Sequence, residues 1–319
     1  MKEWLRHLAR IYLPVYRIES DNMKMIYAGY SPIKKSYYAR LFLKCNYRQT
    51  FLGRYWFTSI SGLMKRHGID LIIAEISRVT FDYFRDHEGY ILPVWATMRI
   101  NIDRPVSEIF NKSKTDFRDI IRRIRKYELT YELSSDKKMF DYFNERFYLP
   151  YMKNRHRDEA FIEDLNTMWN SYENPMILAV KERGNIVGMS FLRVTGDILY
   201  LKRTGIIDGD AKFLPHGVIG ACYYFGINEG LRRGCKYVDL GGSRPFLTDG
   251  LTRHKMGIGG KFEVNLDASK EYLWFGVNEI SQAAMKYLGS NPFMHLSRDF
   301  TLVRCDYSQR FPGIVRNDL

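Results

Sequence analysis

Apolar and polar positions alternate most clearly in the second half of the chain. MILAVKERG, then Asn185 with IVGMSFLRVTG, then DILYLKRTGII read as three strands of an antiparallel meander. Its turns fall at Arg183-Gly184-Asn185 and Thr195-Gly196-Asp197. A helix over about 215–232 follows, and then the strand KYVDLGG. In the first half, GIDLIIAEIS reads as a buried strand, flanked by a helix over 61–67 with Ser61 as N-cap and by another over about 79–86. GYILPVWATMRINI reads as a further strand, whose Pro93 points to an edge or an irregularity. Residues 35–60 are rich in aromatic and β-branched side chains and read as strand-forming. The first 20 residues read either as an opening helix packed on the core or as a basic amphipathic segment that touches a membrane face. The two halves share an order of sheet, helix and strand, which implies a mixed α/β chain of two similar parts.

Between the halves lies KSKTDFRDIIRRIRKYELTYELSSD. On a helix, Phe117, Ile120, Ile121 and Ile124 share one arc, while Lys114, Arg118, Arg122, Arg123, Arg125 and Lys126 occupy the other. Only Asp116 and Asp119 offset that row. The basic face is either an ordinary solvated surface or a surface for phosphates and carboxylates, and in the second case Arg118 and Arg122 are candidate substrate-binding residues.

Composition narrows the choice of partner. The 319 residues carry a formal net charge of +13, which favours an anionic partner without saying which. Cys45, Cys222, Cys235 and Cys305 form no CxxC pair, and the seven histidines form no HExxH, so reduced thiols, no metal and a cytoplasmic protein are expected. No run of 18 apolar residues occurs, which limits the expected membrane contact to a peripheral one at the inner face.

The densest cluster of candidate chemistry is YVDLGGSRPFLTDGLTRHKMGIGG, residues 237–260. A glycine-rich turn after a strand suits a methyl-donor nucleotide, but that fold is built downstream of the turn, and here too little chain follows. The stretch resembles the signature of the FemAB-like branch of the Gcn5-related N-acyltransferase (GNAT) superfamily: D-[FL]-G-G/R-S, then G-[LVT], then [FY]-K-x-x-[FW]-G. The basic helix is similar to the helix of that family, at a fitting distance. His254 and Ile258 depart from the pattern, standing where the family has aromatics.

The resemblance implies tandem GNAT-like halves, 1–130 and 131–319, each a mixed, mostly antiparallel sheet flanked by helices. It implies an acyltransferase that moves an acyl group from acyl-CoA, or an aminoacyl group from aminoacyl-tRNA, to an amine of an anionic small molecule or glycan precursor of the cell envelope. Lys255 matches the motif lysine and, with Asp239, is the catalytic candidate, read as a solvent-facing loop residue. Arg244 and Arg253 offer forked donors for an anionic substrate, and His254 is either a base or a packed ring. In KFLPHGVIGA, Lys212, His216, Gly217 and Gly220 are the candidate cofactor-binding residues at a helix N-terminus, although close helix packing also accounts for the glycines. The rival readings are a nucleic-acid-binding protein and a non-catalytic scaffold of polysaccharide assembly.

Overall fold

The computed structural model describes residues 11–44, 46–104, 106–111, 116–156, 167, 169–170, 173–263 and 271–310. The first strands are β1 (Tyr12–Glu19), β2 (Lys24–Ala28), β3 (Arg48–Trp56), β4 (Leu71–Ile76), β5 (Tyr90–Pro93) and β6 (Ala96–Asn101). Then come β7 (Leu129–Ser134), β8 (Met176–Glu182), β9 (Asn185–Thr195), β10 (Ile198–Ile206), β11 (Tyr237–Ser243) and β12 (Lys261–Glu263). The last are β13 (Tyr272–Val277), β14 (Phe293–Leu296) and β15 (Leu302–Cys305). Four helices matter below: α1 (Pro32–Leu43), α2 (Asp116–Lys126), α3 (Val218–Arg232) and α4 (Gly250–Gly257). The protein is mixed α/β, with two mixed sheets flanked by helices and mostly antiparallel pairings.

Two compact units result, and they are not the two sequential halves. Unit 1 comprises residues 1–96, 244–252 and 264–319, and unit 2 comprises 97–243 and 253–263. The boundary at 130/131 is corrected by strand pairing. β13 hydrogen-bonds to β4 and β5 and so returns the C-terminal segment to the first sheet, while β6 pairs with β12 in the second. GYILPVWATMRINI is therefore two strands in two sheets. Pro93 ends β5, which lies between β14 and β13, so it marks the break and not an edge.

Unit 1 has the strand order β15-β14-β5-β13-β4-β2-β1-β3. β4 is buried along its whole length, as its unbroken apolar run implies. Residues 32–43 form α1 despite their aromatic content: Ser31 accepts a hydrogen bond from the Lys34 amide, Pro32 stands in the first turn, and Tyr38, Ala39, Phe42 and Leu43 share a buried face. The opening helix expected for the first 20 residues is corrected too, since 12–19 form β1 and 1–10 lie outside the described residues. The helix expected over 61–67 is shortened to Leu63–His67, and its N-cap is Gly62, with no side-chain cap bond from Ser61.

Unit 2 has the order β12-β6-β11-β10-β9-β8-β7, and the meander β8–β10 stands as its alternation predicts. Phe117 and Ile120 of α2 are buried in its main core with Val218 and Ala221 of α3, while Ile124 packs at the margin.

Among the described residues β2 pairs with β4 in parallel in unit 1, and β10 with β11 in unit 2. In unit 1 the β2–β4 pairing runs to Ala28–Ala74, and the next residue of β4 is Glu75. This buried carboxylate accepts from the Tyr27 hydroxyl (2.5 Å) and from the Ser31 amide (2.9 Å). Gly29 makes room for it, because a Cβ there would lie 2.5 Å from the Glu75 Cγ.

Glu75→Ala should destabilise the protein by about 1–3 kcal/mol, the cost of removing the buried acceptor that the Tyr27 hydroxyl and the Ser31 amide share, while Glu75→Gln, which keeps an acceptor oxygen, should lose less. Urea unfolding of both variants checks this. Equal losses would show that the charge, and not the acceptor, is what matters.

Candidate active site

The signature lysine, in α4, meets the glycine pair near the end of β11 inside unit 2. Asp249 caps α4 by accepting from the Leu251 and Thr252 amides (3.0 and 3.1 Å), which starts the helix that carries Lys255. Lys255 is 3% exposed, and its Nζ donates to the Gly242 carbonyl (2.8 Å). The expectation of a solvent-facing loop lysine is thereby corrected: the residue sits on the buried side of a helix. Gly260 closes the helix end against the Lys255 carbonyl (2.8 Å), and a Cβ at 260 would fall 2.7 Å from that oxygen.

Asp239, also buried, stands where the β10–β11 ladder ends. The parallel pairing runs from Ile198–Tyr237 to Tyr200–Asp239, whereas β10 continues to Ile206 and β11 to Ser243. One Asp239 oxygen accepts from the Gly241 amide (2.8 Å) and the other from Arg99 Nε (3.2 Å). Arg99 also reaches Glu263 (2.8 Å). Burial works against the Arg99 charge, but the bond with Asp239 and the negative charges of Glu263 and Asp239 prevail and hold its pKa above the ordinary arginine value. Gly241 has a φ of +76°, a conformation that suits glycine. Asp239 and Lys255 thus meet the Gly241-Gly242 end of β11 through its backbone, from opposite chemical sides.

The signature loop's other candidates are placed differently. His254 is half-buried, with its ring 5.3 Å from that of Tyr223, and Ile258 is fully buried in the core. Both departures from the family pattern therefore occupy packing positions. Arg253 is exposed. Arg244 belongs to unit 1, where its guanidinium lies between the rings of Trp95 (3.9 Å) and Tyr37 (4.2 Å) and donates to the Val94 carbonyl (3.3 Å).

The α3 N-terminus packs on α2. Gly217 is the N-cap, with φ +82° and no side-chain cap bond. A Cβ at 217 would lie 2.7 Å from Arg123 Cδ, and one at 220 would lie 2.7 Å from Ile120 Cγ1. Close approach of the two helices therefore accounts for both glycines. Arg123 donates to the Pro215 carbonyl (2.8 Å) and pairs with Asp119 (2.7 Å). His216 pairs with Glu182 (3.0 Å) and stacks on Tyr127, and Lys212 pairs with Asp210 (2.8 Å). On α2, Arg118 and Arg122 are exposed, and Arg122 bonds Asp119. Burial tends to raise the Asp119 pKa, yet the bonds and charges of Arg122 and Arg123 hold it below the usual carboxylate value.

Arg99 and Arg123 are the residues that the motif reading passed over. Arg99 is 140 positions from Asp239 and has no local signal. Arg123 lies in the basic row, but its sequence neighbours do not reveal that it turns toward Pro215. Cys222, Cys235 and Cys305 are free thiols, and burial pushes the Cys222 thiol up to about 12; Cys45 lies outside the described residues. Among the described residues, no group of three or more His, Cys, Asp or Glu could hold a metal ion, and no helix is long and apolar enough to cross a membrane.

No family model and no curated protein matches the chain. Among solved structures it is similar to L-PGS from Bacillus licheniformis, with 11% identity, 83% of this chain and 81% of that one covered, and a TM-score of 0.42. It is similar to FemX at 14% identity, over 81% of this chain and 83% of that one, with a TM-score of 0.43. It is similar to a tandem GNAT protein from the clavulanic acid biosynthesis pathway at 7% identity, over 83% and 79%, with a TM-score of 0.32. At these scores no activity, donor or acceptor is carried from them to this chain.

Gly217→Ala should cost about 1–2 kcal/mol from its left-handed backbone alone, plus the collision with Arg123. In an Arg123→Ala background the penalty should shrink without vanishing, as measured by urea unfolding in a double-mutant cycle. A free substitution at 217 would mean that the glycine is not needed for packing.

Proposed function

We propose that the protein is an acyltransferase of GNAT type that forms an amide on an anionic acceptor, with acyl-CoA favoured over aminoacyl-tRNA as donor. The observation that carries this reading is the buried Lys255 ammonium held on the Gly242 carbonyl where the parallel β10–β11 ladder stops. The reaction forms a C–N bond and breaks a thioester C–S bond, or an ester C–O bond if aminoacyl-tRNA is used. Negative charge develops on the acyl oxygen and the amine loses a proton. A fixed ammonium in a site withdrawn from water suits such a developing charge far better than one in bulk solvent.

Asp239 serves best as a positioning residue. Both of its oxygens are engaged, one by Gly241 and one by Arg99, and it holds the end of β11 that Lys255 meets. The α3 N-terminus fits the phosphates of the donor. Its first amides have no intrahelical acceptors and no side-chain cap, and the Arg123 side chain packs against Gly217 beside them. Arg123, Lys212 and His216 add basic groups nearby, each already held by an acid or a carbonyl. The exposed Arg118 and Arg122 are assigned to anionic groups of the acceptor, such as those of a glycan precursor. His254 is assigned to packing against Tyr223.

Titration calorimetry with acetyl-CoA and with an aminoacyl-tRNA distinguishes the donors: the favoured reading expects binding of the first, and binding of the second alone would reverse it. Lys255→Met should lower kcat/KM roughly 10²–10³-fold, the scale seen when one oxyanion donor is removed, with CoA binding retained. A folded Lys255→Met variant at full activity would sink the catalytic assignment. Arg118→Glu with Arg122→Glu should raise the KM of the acceptor and leave that of the donor unchanged; an effect confined to the donor would mean that the two sites are exchanged.

A further inference from the structure

Unit 1 carries a basic aromatic surface that the transferase reading does not use. β3 is the edge strand of its sheet, and its pairing with β1 sets Trp56 opposite Tyr12, Arg54 opposite Pro14, and Phe51 opposite Tyr16. These positions share one face of the two strands. Trp56 and Phe51 are 58% and 55% exposed, the most exposed aromatic side chains among the described residues, and Tyr12 and Tyr30 follow at 43% and 41%. Two aromatic pairs result, Tyr12 with Trp56 (5.5 Å) and Tyr16 with Phe51 (5.3 Å), and four residues of β1 separate them by ~13 Å.

Cations are built into the same surface. Lys35 Nζ lies over the Tyr16 ring (3.8 Å), and Arg54 lies over the Tyr30 ring (5.6 Å) and donates to the Tyr30 hydroxyl (3.2 Å). The Tyr30 hydroxyl in turn donates to the Tyr12 carbonyl (2.6 Å), which ties the loop after β2 to the strand. No acid stands at these strand positions, and Glu19 of β1 is paired with Arg17 at the alternate positions.

We propose that this face of β1 and β3 docks on an anionic lipid bilayer. Exposed Trp and Phe side chains beside cations match the apolar boundary and the negative headgroups of such a surface, and Tyr and Trp favour that interface because one end of each is apolar and the other polar. A single-stranded nucleic acid is less suited. Base stacking needs free ring faces, whereas here the paired rings are inclined to each other at 53° and 47°, and Lys35 and Arg54 cover the faces of Tyr16 and Tyr30. The inference does not depend on the proposed transferase activity.

Sedimentation with vesicles of phosphatidylcholine, with and without phosphatidylglycerol, tests it on the full chain. The protein should pellet with the anionic vesicles only, and less so as salt is raised. Phe51→Ser with Trp56→Ser should weaken partitioning roughly tenfold, since both rings are withdrawn from the interface. Lys35→Glu with Arg54→Glu should remove the preference for anionic lipid. Ile280→Ser, at another exposed apolar residue of unit 1, should change nothing. Quenching of tryptophan fluorescence by brominated lipid, lost in Trp56→Phe, gives the same answer without a disruptive substitution. Equal pelleting of the Phe51/Trp56 variant, no pelleting of the wild type, or quenching that survives Trp56→Phe would each overturn the proposal. So would tight binding of a thymidine oligomer that vesicles fail to displace and that the aromatic variant loses.

Discussion

A buried ammonium resting on a backbone carbonyl is the constraint on which the candidate site of unit 2 depends. Lys255 is almost wholly enclosed, and a charge taken out of water is tolerable only with fixed partners. The bond to Gly242 supplies one, so the end of β11 must present that carbonyl inward. Gly241 reaches the required backbone conformation, and the Asp239 carboxylate holds the Gly241 amide. Arg99 then holds Asp239 from a different strand. Each group fixes the next, and the chain of contacts runs from β6 through β11 to α4.

The two parallel ladders differ in how the place beyond their last pair is filled. In unit 1, β4 follows its last ladder pair with Glu75, whose carboxylate fills the space beside the loop after β2 and bonds the N-cap amide of α1. A helix N-terminus favours an anion, and here the protein's own side chain provides one. In unit 2, β11 follows its last ladder pair with Leu240 and two glycines, and the N-cap of α3 has no side-chain bond. The same architectural step is thus filled by a carboxylate in one unit and by two glycines in the other. That contrast is in keeping with the proposal that sets the reaction in unit 2.

Much of this was legible in the sequence, and the exceptions have physical causes. The β8–β10 meander showed itself because alternation and glycine turns are local signals, and the apolar stripe of α2 because helical periodicity is local too. Residues 35–43 misled because aromatic side chains suit strands, while the Ser31 cap and Pro32 at their head decided for a helix. The β5–β6 run looked like one strand since apolar pattern does not record a change of sheet. Lys255 was found by its motif, but its burial was not, because burial depends on Gly242 and Gly260 meeting it in space. Arg99 could not be found at all from its neighbours. The unit boundaries failed for the same reason, as β13 returns to pair with a strand almost 200 positions earlier, Tyr272 opposite Ile76.

The excess of 13 positive charges is likewise less informative as a total than as a set of placements. Arg99, Arg123 and Arg244 spend their donors on acids and backbone carbonyls or lie between rings, so they set geometry. Asp119 draws Arg122 and Arg123 to itself and keeps its own charge to acid pH, because its pKa is lowered in the folded protein. Any stability this contributes is present above the unfolded pKa and is lost as pH falls through the lowered one. Arg54, exposed beside the exposed aromatics of β1 and β3, is held by an uncharged group, the ring and hydroxyl of Tyr30. A guanidinium over a ring retains most of its field toward solvent, and neighbouring apolar rings exclude water from one side of it. Such a group gains most from an anionic surface that also accepts the rings. Charge that positions the fold and charge that awaits a partner therefore differ in what already holds them, and no count of lysines and arginines separates the two.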